Sequence, residues 1–176
     1  MFRRSFIQKS LFSLPLISSG SLNGFGENKS DIKIGLAQWS FHRAIRSGKM
    51  DNLDFAKTAK ENFDIKVVEY VNQFFFNKAQ DLSYLSEMKR RSHDMGVKNL
   101  LIMIDDEGSL GDSNKKRRIK AIDNHKKWVE AANYLDCESI RVNAQGDGSE
   151  IEVAQFSSES LSILAEFAKP YNIDII

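Results

Sequence analysis

Val67-Val68-Glu69-Tyr70-Val71 opens the stretch from residue 67 to residue 104 that decides the fold. It is a run of β-branched and aromatic side chains, the composition of a strand. Leu82, Leu85, Met88 and Arg91 then recur close to the helical period. That pattern stops at Gly96, a residue that tolerates the left-handed turn closing a helix. Leu100-Leu101-Ile102-Met103-Ile104 follows, apolar throughout, as a strand covered on both faces is. Strand, helix and strand in this order make a βαβ unit, and its strands run parallel.

The same alternation extends in both directions. Upstream, Ile32-Lys33-Ile34-Gly35-Leu36-Ala37 predicts a first strand, and Leu53, Phe55, Ala56, Ala59 and Phe63 a helix. Downstream, a long helix is expected from Asn114 to Leu135 and a fourth strand at Ile140-Arg141-Val142. Leu161, Leu164, Ala165 and Phe167 share one face of a helix predicted over Ser157 to Ala168, and Ile173-Asp174-Ile175-Ile176 begins a fifth strand. The expected class is α/β: a parallel (β/α)8 TIM barrel of which about the first four βα units plus strand five are present. A whole barrel needs about 250 residues, so the expectation is an N-terminal part. The competing expectation is a five-stranded flavodoxin-like domain.

Composition narrows the function. The chain has 176 residues, with 25 basic and 24 acidic side chains for a net charge of +1. That balance excludes a nucleic-acid coat and an acidic disordered tail, and no apolar run is long enough to span a membrane. The single cysteine, Cys137, can neither close an internal disulfide nor anchor a cysteine cluster.

The first thirty residues read as an address. Arg3-Arg4-Ser5-Phe6-Ile7 precedes an apolar stretch, Leu11 to Ile17, and then Ser18-Ser19-Gly20-Ser21. A basic start, a short apolar core and small residues make a secretory signal, and the arginine pair resembles the twin-arginine type that exports folded proteins. The expected organisation is a signal and linker over 1–30 and the barrel part over 31–176. Export, to the periplasm of a bacterium, would also suit a chain without disulfides.

Active sites of parallel α/β folds lie at the C-terminal ends of the strands. Those ends deliver Gln38, Trp39 and His42 from strand one, and Glu69 and Asn72 from strand two. Strand three ends in Asp105-Asp106-Glu107, and strand four in Asn143 and Gln145. Glu69 is the sharpest of these. A carboxylate within a parallel strand is costly to bury alone, so it wants a cation, a metal, a substrate hydroxyl or an ion pair with Arg141. His42 suits proton transfer or hydrogen bonding. The three consecutive acids offer hard oxygens but cannot all point at one ion, which favours Asp105. Trp128 and His125 share a helix face that suits packing, and Lys115-Lys116-Arg117-Arg118 reads as a solvated face. Phe74-Phe75-Phe76 could line a mouth or enter the core.

Five segments, in order, resemble the sugar phosphate isomerase/epimerase group of xylose isomerase-like TIM barrels. They are Ile34 to Arg43, Val68 to Asn72, Leu101 to Asp105 with Gly108, His125 to Val129, and Ser139 to Asn143. The resemblance implies a divalent metal (Mn, Mg, Co or Zn) that polarises a sugar while acidic residues move a proton. It places the catalytic residues and the metal ligands beyond Ile176, and none of the metal ligands within this chain. Trp39, His42, Glu69, Asp105 and Asn143 are left as substrate-binding residues. The expected partner is a small sugar or sugar derivative, without nucleic acid or an integral membrane segment, and homo-oligomerisation is left open. The fragment alone is expected to be inactive. Competing readings are a lyase or dehydratase acting on a sugar acid, and a barrel that binds sugar without turning it over. A nuclease would want several metal histidines on early strands, and a phosphoacceptor receiver an acidic pair where Gln38-Trp39-Ser40 stands.

Overall fold

The computed structural model describes residues 34–176, and the export reading of residues 1–30 lies outside the described residues. Five strands form one sheet: β1 (Leu36–Ala37), β2 (Val67–Val71), β3 (Lys98–Met103), β4 (Ser139–Arg141) and β5 (Asp174–Ile175). All neighbours are parallel and lie in chain order, β1-β2-β3-β4-β5. A flavodoxin-like sheet reverses its order at a switch point. This one does not, so its covering helices gather on one face, as in a barrel wall.

Five helices occupy the connections: α1 (His42–Arg46), α2 (Phe55–Phe63), α3 (Leu82–Asp94), α4 (Lys115–Tyr134) and α5 (Glu150–Ala168). Three of these starts, those of α3, α4 and α5, are capped by a side chain. The Asp81 carboxylate accepts the Tyr84 N–H, and the Asn114 side chain accepts those of Lys116 and Arg117. Ser149 and Glu152 cap α5 reciprocally, which starts it seven residues before the predicted Ser157. The apolar pattern missed this because the first two turns are held by their cap and carry little of the core. Gly96, at φ 62°, turns the chain from α3 into β3 as expected.

Alternation along the strands sorts the side chains. Val68, Tyr70, Ile102 and Ile140 point to the helical side and pack with Phe55, Leu85, Met88, Trp128, Leu135 and Leu164 into the main core. Each such large apolar side chain contributes about 1.5–3 kcal/mol of burial. Cys137 lies in this core, where burial pushes its thiol pKa up to about 12, which rules out a nucleophilic role near neutrality. An irregularity in the β2–β3 register falls between Val68 and Glu69, which pair with Asn99 and Leu101. The extra β3 residue interrupts the alternation of β3, so that Asn99 and Ile102, three apart, both face the helices, while Glu69 of β2 lies on the inner side of the sheet.

The loop after β3 and the loop after β4 are locked together. The Gly111 N–H donates to the Gln145 carbonyl at 2.8 Å. A Cβ on Gly146 would meet the Gly111 carbonyl oxygen at 2.0 Å, so only glycine fits there. Arg117 reaches both loops through Asp112 and Asp147.

Candidate functional site

The C-terminal ends of β1 to β4 open into a cavity of about 380 Å³ lined by Ala37, Trp39, Glu69, Tyr70, Val71, Met103 and Arg141. Trp39 is 39% exposed, unusual for a tryptophan inside a domain. Its ring is stacked on His42, with centroids 4.9 Å apart and planes 11° from parallel, and Phe74 tilts against it at 6.1 Å. His42 Nδ1 lies 2.7 Å from the Trp39 carbonyl oxygen. A carbonyl can only accept, so Nδ1 is the donor here, and the tautomer with its proton on Nδ1 presents its lone pair at Nε2.

A buried chain holds this platform. Gln38 is fully buried; its amide accepts the Val71 N–H at 2.9 Å and donates to Asn52 at 2.6 Å. Asn52 in turn donates to the Tyr84 hydroxyl at 2.8 Å. Gln38 therefore braces the first two strand ends and is withdrawn from the polar wall that the sequence suggested.

The three acids after β3 diverge. Asp105 accepts the Asn143 amide at 2.8 Å, bringing two of the expected substrate residues together. Asp106 turns away at φ 61° and accepts Gln73 Nε2 at 2.7 Å. Glu107 is only 4% exposed and points into the wall, where it accepts the Trp128 indole at 2.6 Å and Lys127 at 2.7 Å. Gly108 continues this turn with its α-carbon face against Ala121. The three phenylalanines divide similarly: Phe75 enters the core, Phe74 meets Trp39, and Phe76 tilts onto Trp128.

Glu69 lines the cavity, and no ion pair joins it to Arg141 among the described residues within the 4.0 Å limit. Contrary to the expected ion pair, Glu69 stands in the sheet without Arg141 as a partner among the described residues. Arg141 reaches the Met103 sulfur instead. The basic run at the start of α4 is solvated except at Arg118, which is 8% exposed and lies over the Phe156 ring. His125 is buried in α4 with Nδ1 on the Ala121 carbonyl.

Sequence reasoning missed two residues of the rim. Arg46 sits 5.0 Å over Trp39 and donates to Gln73 Oε1 at 2.8 Å. Gln73 thus links the loops after β1, β2 and β3. Its partners lie 27 and 33 residues away, beyond any local pattern.

No family model matches the chain, and no curated protein does. Solved structures do. D-psicose 3-epimerase from Clostridium cellulolyticum H10, crystallised with D-tagatose, matches with a TM-score of 0.65 at 14% identity. That match covers 82% of this chain and 51% of the epimerase. The 3-keto-D-glucoside 4-epimerase YcjR of E. coli matches with a TM-score of 0.63 at 19% identity, over 82% and 54% of the two chains. The IolI protein with a bound zinc atom matches with a TM-score of 0.59 at 16% identity, over 82% and 50%. At these identities the likeness is one of fold. The chain spans about half the length of these structures, and its parallel sheet with helices matches the corresponding part of their α/β fold.

Proposed function

We propose that this chain supplies the substrate-binding wall of a sugar isomerase or epimerase that works by proton transfer next to a carbonyl. The observation that carries the reading is the cavity at the strand ends, where Trp39, Glu69 and Arg141 converge beside the Asp105–Asn143 pair. An aromatic face takes the apolar C–H side of a sugar, while carboxylates and amides take its hydroxyls. In this reading Trp39 is the stacking platform, fixed by His42 and Arg46. Glu69 accepts a hydroxyl hydrogen, and so does His42 at Nε2. The Asn143 amide and the Asp105 carboxylate orient a second hydroxyl. The epimerases of similar fold, one crystallised with D-tagatose, support the substrate class.

A divalent metal is part of the expectation, and the IolI protein holds zinc. Among the described residues no three His, Cys, Asp or Glu side chains gather where an ion could sit. The residues present do not fit that group, and none of the roles above runs through it. Residues 1–30 are proposed to export the folded protein, on the strength of Arg3-Arg4 and the apolar stretch after it.

The test is hydrogen exchange at carbon. The full natural chain is incubated in D₂O with D-tagatose or D-fructose and added Mn²⁺, and the sugar is examined by mass spectrometry. Proton transfer next to the carbonyl puts deuterium into a C–H position. Glu69→Gln is expected to slow this while leaving the melting temperature nearly unchanged. A large loss of stability with turnover intact would make Glu69 structural.

A further inference from the structure

The helix α1 is a short turn of five residues, none of them buried, so packing into the core does little to fix where it sits. Two groups that lie against the Trp39 ring nevertheless come from it. The His42 imidazole is stacked at 4.9 Å, and the Arg46 guanidinium stands 5.0 Å over the ring. Four residues apart, they share a face of the turn. Among the described residues, one side-chain hydrogen bond leaves this turn for another loop, from Arg46 to Gln73 Oε1 at 2.8 Å.

Gln73 itself is firmly placed. Asn72 before it is fully buried and paired twice with Asp105, and Phe75 beyond it lies in the core. The Gln73 amide nitrogen donates to Asp106 Oδ2 at 2.7 Å. Two consecutive residues of the loop after β2 therefore pair with two consecutive residues of the loop after β3. A guanidinium can only donate and a carboxylate can only accept, so the side chain between Arg46 and Asp106 must do both. An amide does.

We infer that Gln73 is a positioning residue of the site: through Arg46 it ties α1 to the loop after β3, and so sets the plane of Trp39. This rests on the sugar-site reading above, in which Trp39 is the stacking platform. Gln73 acts through Arg46 and touches no ligand. Both of its hydrogen bonds are exposed and add little to stability, so their loss falls on the ring rather than on the fold. A loosened ring must be ordered by the ligand, which weakens binding.

The test reads the Trp39 indole N–H in ¹⁵N-correlated NMR spectra of the full natural chain, first without ligand and then in titrations with D-tagatose and D-gluconate. Gln73→Met removes both polar atoms at similar volume. It is expected to shift or broaden the ligand-free Trp39 signal, to leave that of Trp128 in place and to keep the melting temperature nearly unchanged. The sugar that binds should do so about threefold or more weakly, the low end of coupling within one network. Gln73→Glu keeps the acceptor for Arg46 but sets two carboxylates face to face, and is expected to have the same effect. Adding Asp106→Asn to Gln73→Glu supplies an amide that donates to that carboxylate, and should restore both the signal and the affinity. Asp106→Asn alone keeps an acceptor for Gln73 and should change little. A ligand-free Trp39 signal unmoved by Gln73→Met and by Gln73→Glu overturns the inference, and so does a failure of Asp106→Asn to rescue Gln73→Glu. If neither sugar moves the Trp39 signal of the unsubstituted chain, the sugar-site reading falls, while the ligand-free signals of the variants still decide the role of Gln73.

Discussion

Asn72 and Asp105 hydrogen-bond each other twice. Asn72 Nδ2 donates to the Asp105 carbonyl at 2.8 Å, and the Asp105 N–H donates back to Asn72 Oδ1 at 2.9 Å. The main chain leaves β2 at this point for a tight turn, so a side chain extends the β2–β3 ladder by one more pair. Asp105 is thereby fixed where Asn143 can reach it.

Asn72 is fully buried. Asn72→Ala is therefore expected to leave the Asp105 N–H unpaired and to cost about 1–3 kcal/mol, read as a lower urea midpoint. It should also weaken sugar binding through Asp105. A variant with unchanged stability would show that the pair carries no energy.

Glu107 was hidden within a run of three acids, and its burial shows only in three dimensions. Glu107→Ala removes the acceptor of both the Trp128 indole and Lys127. A loss of about 1.5–3 kcal/mol is expected, as for hydrogen bonds to charged groups. Glu107→Gln keeps an acceptor oxygen for the indole and should cost less. Urea unfolding followed by tryptophan fluorescence separates the two, and equal losses would contradict the indole contact.

His125 predicts a pH dependence. Burial holds its imidazole below the ordinary value of 6.5. The unfolded chain then binds this proton more readily than the folded one, so stability is full above about pH 6.5 and falls as pH drops through the folded value. Urea midpoints at pH 7.5 and 5.5 should differ, and His125→Gln should flatten the difference. Asp81 and Glu87, held below their ordinary values by Lys78 and by Arg90, respond only at lower pH and leave this window clear. A slope that survives His125→Gln would assign it to another group.

The fold was legible because each βα unit announces itself locally: an apolar strand, a helical period and a turn residue such as Gly96. Strand order was not, since 1-2-3-4-5 and a reversed order share those signals. At the mouth, Trp39, Glu69, Asp105 and Asn143 could be read from their places at strand ends. The braces could not. Gln38 looks like a wall residue until Asn52 and Val71 are seen around it, and Arg46 meets Gln73 only after β1 and β2 pair. Glu69 and Arg141 looked like partners by charge, but the sheet holds them on strands separated by β3.

The export reading has its own test. Replacing Arg3 and Arg4 together with lysine should hold the protein in the cytoplasm of its native cells, where fractionation and immunoblotting would find it. Unaffected export would contradict the twin-arginine reading.

The most direct test of the sugar site uses the two tryptophans of this chain. Trp39 stands at the mouth, and Trp128 is sealed in the core against Glu107, so one indole reports on the site and the other serves as its control. In a ¹⁵N-correlated NMR spectrum of the full natural chain, with Trp39→Phe and Trp128→Phe assigning their respective indole signals, D-tagatose and D-gluconate are added in turn. The account predicts that at least one of them shifts the Trp39 indole N–H and leaves that of Trp128 in place. An unmoved Trp39 signal at saturating concentrations of both, or shifts of equal size at the two indoles, would contradict it.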